Sequence, residues 1–415
     1  MTSERLPIPR NEYPRPQFVR EDWLCLNGPW EFEIDAADTG LERGMLGRPL
    51  QGEITVPFCP ESKLSGVECK DFMNAVWYRK EVQVPAQWRG QNVLLHFQAV
   101  DYDTTVWVNS REVGRHRGGW CGFRCDLSDA MDETGKAVIV VRARDLKSEI
   151  GKPGGKQTFD QYHNYRCYYE RTTGIWQTVW MEPVAKVHFR RPKIVPDLAN
   201  RMFRVTCPIT NSRAGTTVRV VLSDSAGIIS DVSVVATDDF SPMLNLHIPE
   251  GRLHLWSCES PFLYDIAFEL KDSQGVIIDS AASYAGLRSI TIDGKAVKLN
   301  ETVVFQRQVL DQGYYPDSGM TAPTEEDLIR DIELAQKAGF NSARLHQKVF
   351  EERFLYHCDR MGYLVWAEFG DWGIDKECPQ ATYMTQWVEI VSRDLNHPSI
   401  VGWCPLNETW KELTD

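Results

Sequence analysis

The residues best suited to chemistry stand near the end of the sequence, where a short apolar segment leads into an asparagine and a glutamate. Residues 400–403 have the character of a buried strand, and Asn407 and Glu408 follow shortly after it. A carboxyl group held at a strand end among tryptophans would be partly desolvated, and desolvation raises the pKa of a carboxyl. Glu408 is therefore a candidate general acid, and an ordinary strand-end glutamate is an equal alternative on these residues alone.

Strands and helices alternate from about residue 290, and this alternation would position Glu408. The predicted elements are, in order, a helix after its N-cap Thr324 that ends at Gly339, a strand at 341–345, a helix near Phe350, a strand at 363–367, a helix over 384–393 and a strand at 400–403. Strict alternation implies parallel strands with helical crossovers. In barrels built this way the active site lies at the carboxyl ends of the strands.

Before residue 290 the sequence alternates at period two, and no helical segment of useful length intervenes. Residues 1–185 are predicted to form a jelly-roll β-sandwich, with its clearest hairpin at strand 105–108 and turn 109–112. Residues 186–287 have the size and strand pattern of an immunoglobulin-like β-sandwich. A closed eight-stranded TIM barrel needs roughly 250 residues. Residues 288–415 are therefore expected to form the first half of one, with about four βα units.

Composition restricts the class of protein. Hydrophobic residues make up 42% and charged residues 25% of the 415, as in soluble globular proteins. Acidic residues outnumber basic ones by 58 to 46, which gives a net charge of −12 and argues against a nucleic-acid partner. No segment has the apolar length of a membrane span or the pattern of a signal peptide. The 11 cysteines lack paired spacings, which favours reduced thiols in a cytoplasmic protein; neither a metal site nor a cofactor is expected.

The string Asn396-His397-Pro398-Ser399-Ile400, followed by Trp403 and Asn407-Glu408, resembles the acid/base signature of glycoside hydrolase family 2, which holds β-galactosidases, β-glucuronidases and β-mannosidases. Other stretches are similar to the sandwich domains of that family: Val100-Asp101-Tyr102-Asp103, Val106-Trp107-Val108-Asn109, the stretch 171–180, the stretch 255–264 and Gly286-Leu287-Arg288. The resemblance implies that Glu408 is the acid/base. It also implies that Asn407 contacts the 2-hydroxyl of the sugar, where hydrogen bonds strengthen in the transition state.

The same resemblance assigns residues at the other strand ends. Arg344 and His346 match a strand-end arginine and histidine, which implies that the arginine holds carboxylates in place and the histidine lines the sugar site. A lone strand-end histidine is otherwise more often structural. Glu368 matches an acidic position, and a buried partner for Arg344 is an equally good interpretation. Asp311 ends the first strand as a further substrate-binding candidate, although several members of the family carry a basic residue there.

The loop before Gly174 departs from the family pattern. Members that act on galactosides and glucuronides have an aspartate six residues ahead of this glycine, whereas this sequence has Tyr168. Asp160, further upstream, is a candidate substitute. The departure leaves the identity of the sugar open.

Retaining glycosidases need a second carboxylate as nucleophile, about 5–5.5 Å from the acid/base. In the family this glutamate ends the seventh barrel strand, so the resemblance implies that it is absent from the 415 residues. The expected function is that of a retaining β-glycosidase acting on a carbohydrate substrate, with this chain inactive alone. The alternative is a non-catalytic carbohydrate-binding or structural fragment, and homo-oligomerisation stays open. Half a barrel would also expose its interior side chains, expected to be Val303, Val304, Leu345, Val365 and Trp403.

Overall fold

The chain is mostly β, with β-sandwich domains followed by a parallel sheet and its helices. The computed structural model describes residues 7–146, 151–158, 162–211, 214–236, 240–371 and 380–408. Within these ranges no helix combines the length and the apolar character that crossing a bilayer requires.

A β-sandwich forms the amino-terminal part of the molecule. Its strands are β1 (Leu24–Cys25), β2 (Gly28–Asp35), β3 (Gly52–Val56), β4 (Ala75–Gln83), β5 (Asn92–Phe97), β6 (Val100–Asp101), β7 (Asp103–Val108), β8 (Arg111–Arg117), β9 (Phe123–Asp126), β10 (Lys136–Arg144), β11 (Gly174–Ile175) and β12 (Val179–Val184). One sheet has the order β1-β12-β5-β9 and the other the order β3-β2-β4-β10-β7-β8. Alternate residues of each strand enter the shared core, such as Ala137, Ile139 and Val141 of β10.

The β7–β8 hairpin closes on two residues, Asn109 and Ser110, so the predicted turn at 109–112 was too long. Both residues have positive φ, 48° and 65°, as in the turns that match the twist of a hairpin. The Asn109 side chain donates to Ala130 O at 2.9 Å and to Lys136 O at 3.0 Å. The prediction failed because the exposed, charged residues that open β8 have the composition of a turn.

A second sandwich follows. Its strands are β13 (His188–Phe189), β14 (Lys193–Asp197), β15 (Met202–Thr206), β16 (Ile209–Thr210), β17 (Thr216–Asp224), β18 (Gly227–Ala236), β19 (Met243–His247), β20 (Tyr264–Lys271) and β21 (Ile277–Ala285). The larger sheet has the order β18-β17-β20-β21, and β14-β15-β19 form another. Val218, Val220 and Leu222 of β17 are fully buried in their common core.

The remaining residues build a small antiparallel sheet and then a parallel one. The elements are β22 (Ile290–Asp293), β23 (Ala296–Leu299), β24 (Thr302–Val303), β25 (Gln308–Asp311), α1 (Glu325–Lys337), β26 (Ser342–Leu345), α2 (Glu352–Met361), β27 (Leu364–Glu368), α3 (Gln380–Asp394) and β28 (Ile400–Cys404). Strands β25-β26-β27-β28 pair in parallel in that order. The predicted alternation of strand and helix is therefore present, with bounds within a few residues of those expected.

The ends of the helices follow from local residues. Thr324 Oγ1 accepts the Asp327 N–H at 3.2 Å, and the Asp327 carboxylate accepts the Thr324 N–H at 3.1 Å, which forms a capping box at α1. Helix α2 ends at Gly362, whose φ of 67° lies in the left-handed region that glycine adopts freely. These caps position the strands that follow.

The predicted interior face of the parallel sheet was wrong at four positions. Val303 lies in β24 of the small antiparallel sheet and Val304 follows it, so neither belongs to a strand of the parallel sheet. Leu345 and Val365 are 2% and 0% exposed because they face α1 and α2, whose Leu328 and Phe354 belong to the same core. The opposite face carries Arg344 and polar contacts instead. Period two fixes which residues share a face, but the sequence does not show which face the helices cover.

Candidate active site

All six predicted site residues lie at one edge of the parallel sheet. This edge, formed by the carboxyl ends of β25 to β28, is called the carboxyl edge below. Asp311 is the last residue of β25 and Glu368 the last of β27. The others lie within or just after the ends of β26 and β28: Arg344, His346, Asn407 and Glu408.

Arg344 links two of the strand ends. Its Nε donates to Glu368 Oε2 at 2.5 Å, and its Nη2 donates to Asn407 Oδ1 at 2.7 Å. The neighbours Ala343 and Leu345 face the helices, so the alternation of β26 turns Arg344 to the opposite side. Its side chain is 32% exposed. One planar guanidinium thus ties β27 to the segment after β28 and still reaches solvent.

Glu368 is the buried centre of these contacts. Its side chain is 0% exposed, and its Oε1 accepts the Gln347 N–H at 3.0 Å and lies 2.9 Å from His346 Nδ1. Together with Arg344, these neighbours occupy both oxygens. Glu368 is therefore a buried partner of Arg344, in agreement with the second of its two interpretations from the sequence.

Asn407 keeps one donor unused. The side chain is 4% exposed and its Oδ1 accepts from Arg344. Its Nδ2 is buried and has no hydrogen-bond partner among the described residues. An arginine can only donate, so the contact with Arg344 identifies the amide oxygen and leaves the N–H₂ group to bind something else.

Glu408 stands beside this amide. It is exposed, so the partial desolvation expected for its carboxyl is not observed among the described residues. Its φ of 49° lies in the left-handed region, which is uncommon for a residue with a side chain. Its carboxyl forms no hydrogen bond or ion pair within the described part of the chain, which ends at this residue. The free carboxyl and the free amide N–H₂ are therefore consecutive in the chain.

Asp311 and Lys348 belong to the same edge. Gly313 N donates to Asp311 Oδ1 at 2.9 Å. Burial raises the pKa of Asp311, and the Lys348 charge opposes the rise. The Lys348 ammonium donates to Gly313 O and, at 2.7 Å, to Met320 O, which holds the loop after β25. Burial lowers the pKa of Lys348 to about 8. Lys348 was not predicted from the sequence, although a charged residue before the apolar pair Val349-Phe350 was a signal for it.

The first sandwich packs against the carboxyl edge. Trp120 and Trp176 share a core with Phe369, which follows β27. Trp176 Nε1 donates to Gly119 O at 2.9 Å, and a β-carbon at Gly370 would collide with the Trp120 ring. Only glycine fits at residue 370 in this packing.

The aromatic residues before Gly174 lie at this junction too. Tyr169 stacks on Tyr314, which follows β25, with ring centroids 3.9 Å apart and planes inclined by 8°. Tyr168, singled out from the sequence, stacks instead on Tyr165 at 5.3 Å. Asp160 lies outside the described residues.

Comparison with known proteins identifies the family. Residues 24–179 match "Glycosyl hydrolases family 2, sugar binding domain", and residues 187–288 match "Glycosyl hydrolases family 2". The two matches together cover more than half of the chain. The chain belongs to glycoside hydrolase family 2. The resemblance drawn from the sequence motifs is therefore confirmed.

Family members with curated names are similar over most of this chain. A β-glucuronidase of Paenibacillus borealis is 26% identical over 95% of this chain and 69% of its own length. A putative β-glucuronidase of Formosa agariphila is 27% identical over 80% of this chain and 40% of its own length. A β-galactosidase of Priestia megaterium is 24% identical over 95% of this chain and 39% of its own length. The chain thus spans about two fifths of the length of the last two relatives.

Solved structures of the family share the fold. A β-glucuronidase from Ruminococcus gnavus in complex with D-glucuronic acid superimposes with a TM-score of 0.80, over 99% of this chain and 70% of that one. The sequence identity is 20%, so the likeness is one of fold.

Proposed function

We propose that this protein is a retaining β-glycosidase that hydrolyses terminal β-glycosidic bonds by double displacement. In this proposal the parallel sheet is the first half of a TIM barrel, and the carboxyl edge is its active-site end. Membership of family 2 and relatives named β-glucuronidase and β-galactosidase support the reaction class. Glu408 protonates the leaving-group oxygen and then activates water as general base.

The unused donor of Asn407 is the observation that carries the proposal. Arg344 holds the amide oxygen at 2.7 Å, which fixes the direction of the buried Nδ2. In a glycosidase this N–H₂ donates to the 2-hydroxyl of the sugar, where the hydrogen bond strengthens as positive charge develops on the ring. The adjacent carboxyl of Glu408 has no competing partner among the described residues, which leaves it available for proton transfer.

The nucleophile is proposed to come from outside the described residues. Glu368 is the second glutamate of the carboxyl edge and, unlike Glu408, it is buried, with partners within 3.0 Å of both of its oxygens. A nucleophile needs a carboxylate oxygen that reaches the anomeric carbon. The proposed double displacement therefore requires a further carboxylate beyond those of the described carboxyl edge.

Substitution of Glu408 in the complete gene product tests the mechanism. Glu408→Gln should lower kcat/KM by about 10²–10⁴-fold on β-glycosides with poor leaving groups. Activated aryl β-glycosides should lose less in the glycosylation step, and azide should partly rescue the deglycosylation step. Glu326→Gln, at an exposed position of α1, is the control and should keep full activity. An equal loss for all leaving groups without azide rescue would show that Glu408 only binds.

The second candidate is a non-catalytic carbohydrate-binding chain. It is favoured by the contacts that both oxygens of Glu368 already make. Apart from Glu408, Asp311 is then the one carboxylate of the described carboxyl edge that still has an oxygen without a hydrogen bond. The gene sequence beyond codon 415 separates the two candidates. A continuation in frame with a glutamate at a later strand end supports the enzyme, whereas a stop codon supports the binding chain.

A further inference from the structure

The segment Gly286-Leu287-Arg288 lies at the junction between the second sandwich and the parallel sheet. It directly follows β21, and Leu287 is fully buried in the core of the second sandwich. A β-carbon at Gly286 would stand 2.8 Å from Pro398, so only glycine lets the two segments approach this closely. Arg288 is therefore held next to the connection that leads from α3 into β28.

Arg288 spans this junction with two hydrogen bonds. Its Nε donates to Pro398 O at 2.9 Å, and its Nη2 donates to Ile400 O at 2.6 Å. Burial lowers the pKa of Arg288, and the charge of Asp359 opposes this change. Among the described residues no carboxylate pairs with the guanidinium, and both of its acceptors are main-chain carbonyls. Because the fork of donors is planar and rigid, an arginine bound in this way fixes the course of the backbone.

The second of these carbonyls belongs to a bulge in β28. Val365 of β27 pairs with Ile400, but the next residue, Trp366, pairs with Gly402, so Val401 is an additional residue without a partner on β27. The guanidinium thus donates to the peptide group directly before the additional residue. Bulges re-aim the side chains that follow them and are frequent next to active sites.

The side chains of β28 show the resulting change of phase. Ile400 and Trp403 pack in the same core beneath the helices, although a regular strand would turn residues at this spacing to opposite faces. Trp403, the remaining residue predicted for the interior face, also contacts Trp387 of α3, with ring centroids 5.9 Å apart. A β-carbon at Gly402 would collide with the ring of Trp366. The bulge therefore determines which face each later residue of β28 occupies.

The phase of β28 decides where the candidate acid/base stands. The strand ends at Cys404, and Asn407 and Glu408 follow shortly after it. Loss of the bulge would move this segment by one residue, about 3.3 Å along the sheet, and turn its side chains to the other face. The contact of 2.7 Å between Arg344 and Asn407 would not survive such a displacement.

We propose that Arg288 is a positioning residue for Asn407 and Glu408, because it holds the bulge that sets the phase of β28. Within the described ranges its own hydrogen bonds reach no residue of the carboxyl edge, so it acts through the strand. The consequence for catalysis rests on the proposed glycosidase function, whereas the consequence for β28 does not.

Fluorine NMR of the 415-residue chain, labelled with 5-fluorotryptophan, tests the effect on β28. Arg288→Met keeps a long unbranched side chain and removes both donors. The Trp403 resonance, assigned with Trp403→Phe, should shift or split because the ring loses its fixed place beside α3. The resonance of Trp107, from a core of the first sandwich, should stay in place. An unchanged Trp403 resonance in folded Arg288→Met would overturn the proposal.

Two further variants make this test specific. Arg288→Lys, whose compact ammonium lacks the fork, should give a smaller change of the same kind, and it supplies the test if the methionine variant does not fold. Arg191→Met is the matched control, because Arg191 also donates from the second sandwich to this connection, at 2.7 Å to Arg393 O, but before the bulge. It should leave the Trp403 resonance unchanged at a similar loss in thermal melting. Equal displacement in both methionine variants would mean that Arg288 only docks the two domains.

Kinetics of the complete gene product test the effect on the acid/base. In Arg288→Met, kcat should fall about tenfold or more on β-glycosides with poor leaving groups and less on activated aryl β-glycosides, whereas KM should change less than about threefold. Arg288→Lys should restore part of the activity on poor leaving groups. A purely structural loss would lower the amount of active enzyme and reduce kcat equally for all leaving groups.

The two measurements separate this inference from the proposed function. An inactive parent gene product, together with a displaced Trp403 resonance in Arg288→Met, would refute the glycosidase and support the role of Arg288 in β28. An active parent whose Arg288→Met variant loses kcat equally for all leaving groups would overturn the positioning of Glu408.

Discussion

Two glutamates of this chain are fully buried beside arginine and histidine, yet their surroundings differ. Glu182 lies in β12 of the first sandwich, and Glu368 ends β27 at the carboxyl edge. Both side chains have 0% exposure. Judged by residue types alone, the two places are alike.

Around Glu182 every charge is paired. Arg15 contacts both carboxylate oxygens at 3.0 Å, Arg20 contacts one at 3.0 Å, and His96 Nε2 lies 3.1 Å away. Arg20 continues with two bonds of 2.9 Å to Asp279 of the second sandwich. These five residues are called the inter-sandwich cluster. The cluster joins the amino-terminal segment to both sandwiches and leaves no carboxylate oxygen of Glu182 for a ligand.

Around Glu368 the pairing is incomplete. Arg344 is about a third exposed, and the amide that it orients keeps a free N–H₂ group on Asn407. A buried carboxylate with cationic partners therefore does not by itself mark a site. The useful signal is a partner that is held in place and still has donors to offer.

The largest expected effect is on stability, at Glu182. Glu182→Gln would leave Arg15 buried without a carboxylate, and breaking a buried ion pair in this way costs about 3–5 kcal/mol. Glu368→Gln should cost less, because Arg344 can turn to solvent. Urea denaturation of both variants measures the difference in the free energy of unfolding. Equal losses would mean that the two glutamates are equivalent structural groups.

Acid denaturation tests how strongly the inter-sandwich cluster stabilises the ionised form of Glu182. Burial disfavours the ionised form of Glu182, but the charges of Arg15 and Arg20 and the contact with His96 outweigh burial and hold the pKa well below its usual value. The resulting stabilisation is complete above the unfolded pKa of about 4.3. It is lost as the pH falls through the folded value. In Glu182→Gln this part of the acid dependence should be missing.

A further prediction concerns Lys348, a buried cation of the carboxyl edge whose hydrogen-bond acceptors are carbonyls rather than carboxylates. Its pKa is about 8 in the folded chain, against about 10.4 when unfolded. Between these values the unfolded chain binds more protons, so stability should rise with pH by up to roughly 3 kcal/mol. Below pH 8 the cost of the buried charge is constant.

Lys348→Met isolates this contribution. The free energy of unfolding is measured between pH 7.5 and 10.5. Relative to the variant, that of the parent chain should rise with pH, because only the parent gains this stability. Parallel profiles would show that Lys348 is as well compensated as the inter-sandwich cluster.

The features that were predicted well from the sequence depend on residues that are close to one another in the chain. The capping residue Thr324, the alternation after residue 290 and the strand-end positions of Arg344 and Glu368 are all set by local pattern. Parallel pairing then brings the strand ends to one edge. No contact between distant residues had to be known.

The features that were not predicted depend on contacts between residues that are far apart in the sequence. Arg15 and Glu182 are 167 residues apart, and neither belongs to a motif or a period that predicts their contact. The stacking of Tyr169 on Tyr314 arises in the same way, because the two rings come from different parts of the sequence. Leu345 was placed on the wrong face because the position of the helices is also a long-range property.

The smallest predicted effect is the most specific one. Arg344→Lys keeps the positive charge near Glu368 but removes the planar group that also donates to Asn407 Oδ1. The amide should then lose its fixed direction. Under the proposed function, affinity for a methyl β-glycoside should fall about three- to tenfold, the value of one neutral hydrogen bond. A 2-deoxy analogue, which lacks the hydroxyl that Asn407 would contact, should lose almost nothing.

Asn407→Ala should show the same selectivity, and the double variant should lose little more than either single variant, because both changes remove one interaction. Stability should change by no more than about 1 kcal/mol, since Arg344 is partly exposed. If the 2-deoxy analogue lost as much affinity as the parent glycoside, Arg344 would support the fold of the carboxyl edge and not the orientation of Asn407, and the difference drawn between Glu182 and Glu368 would disappear.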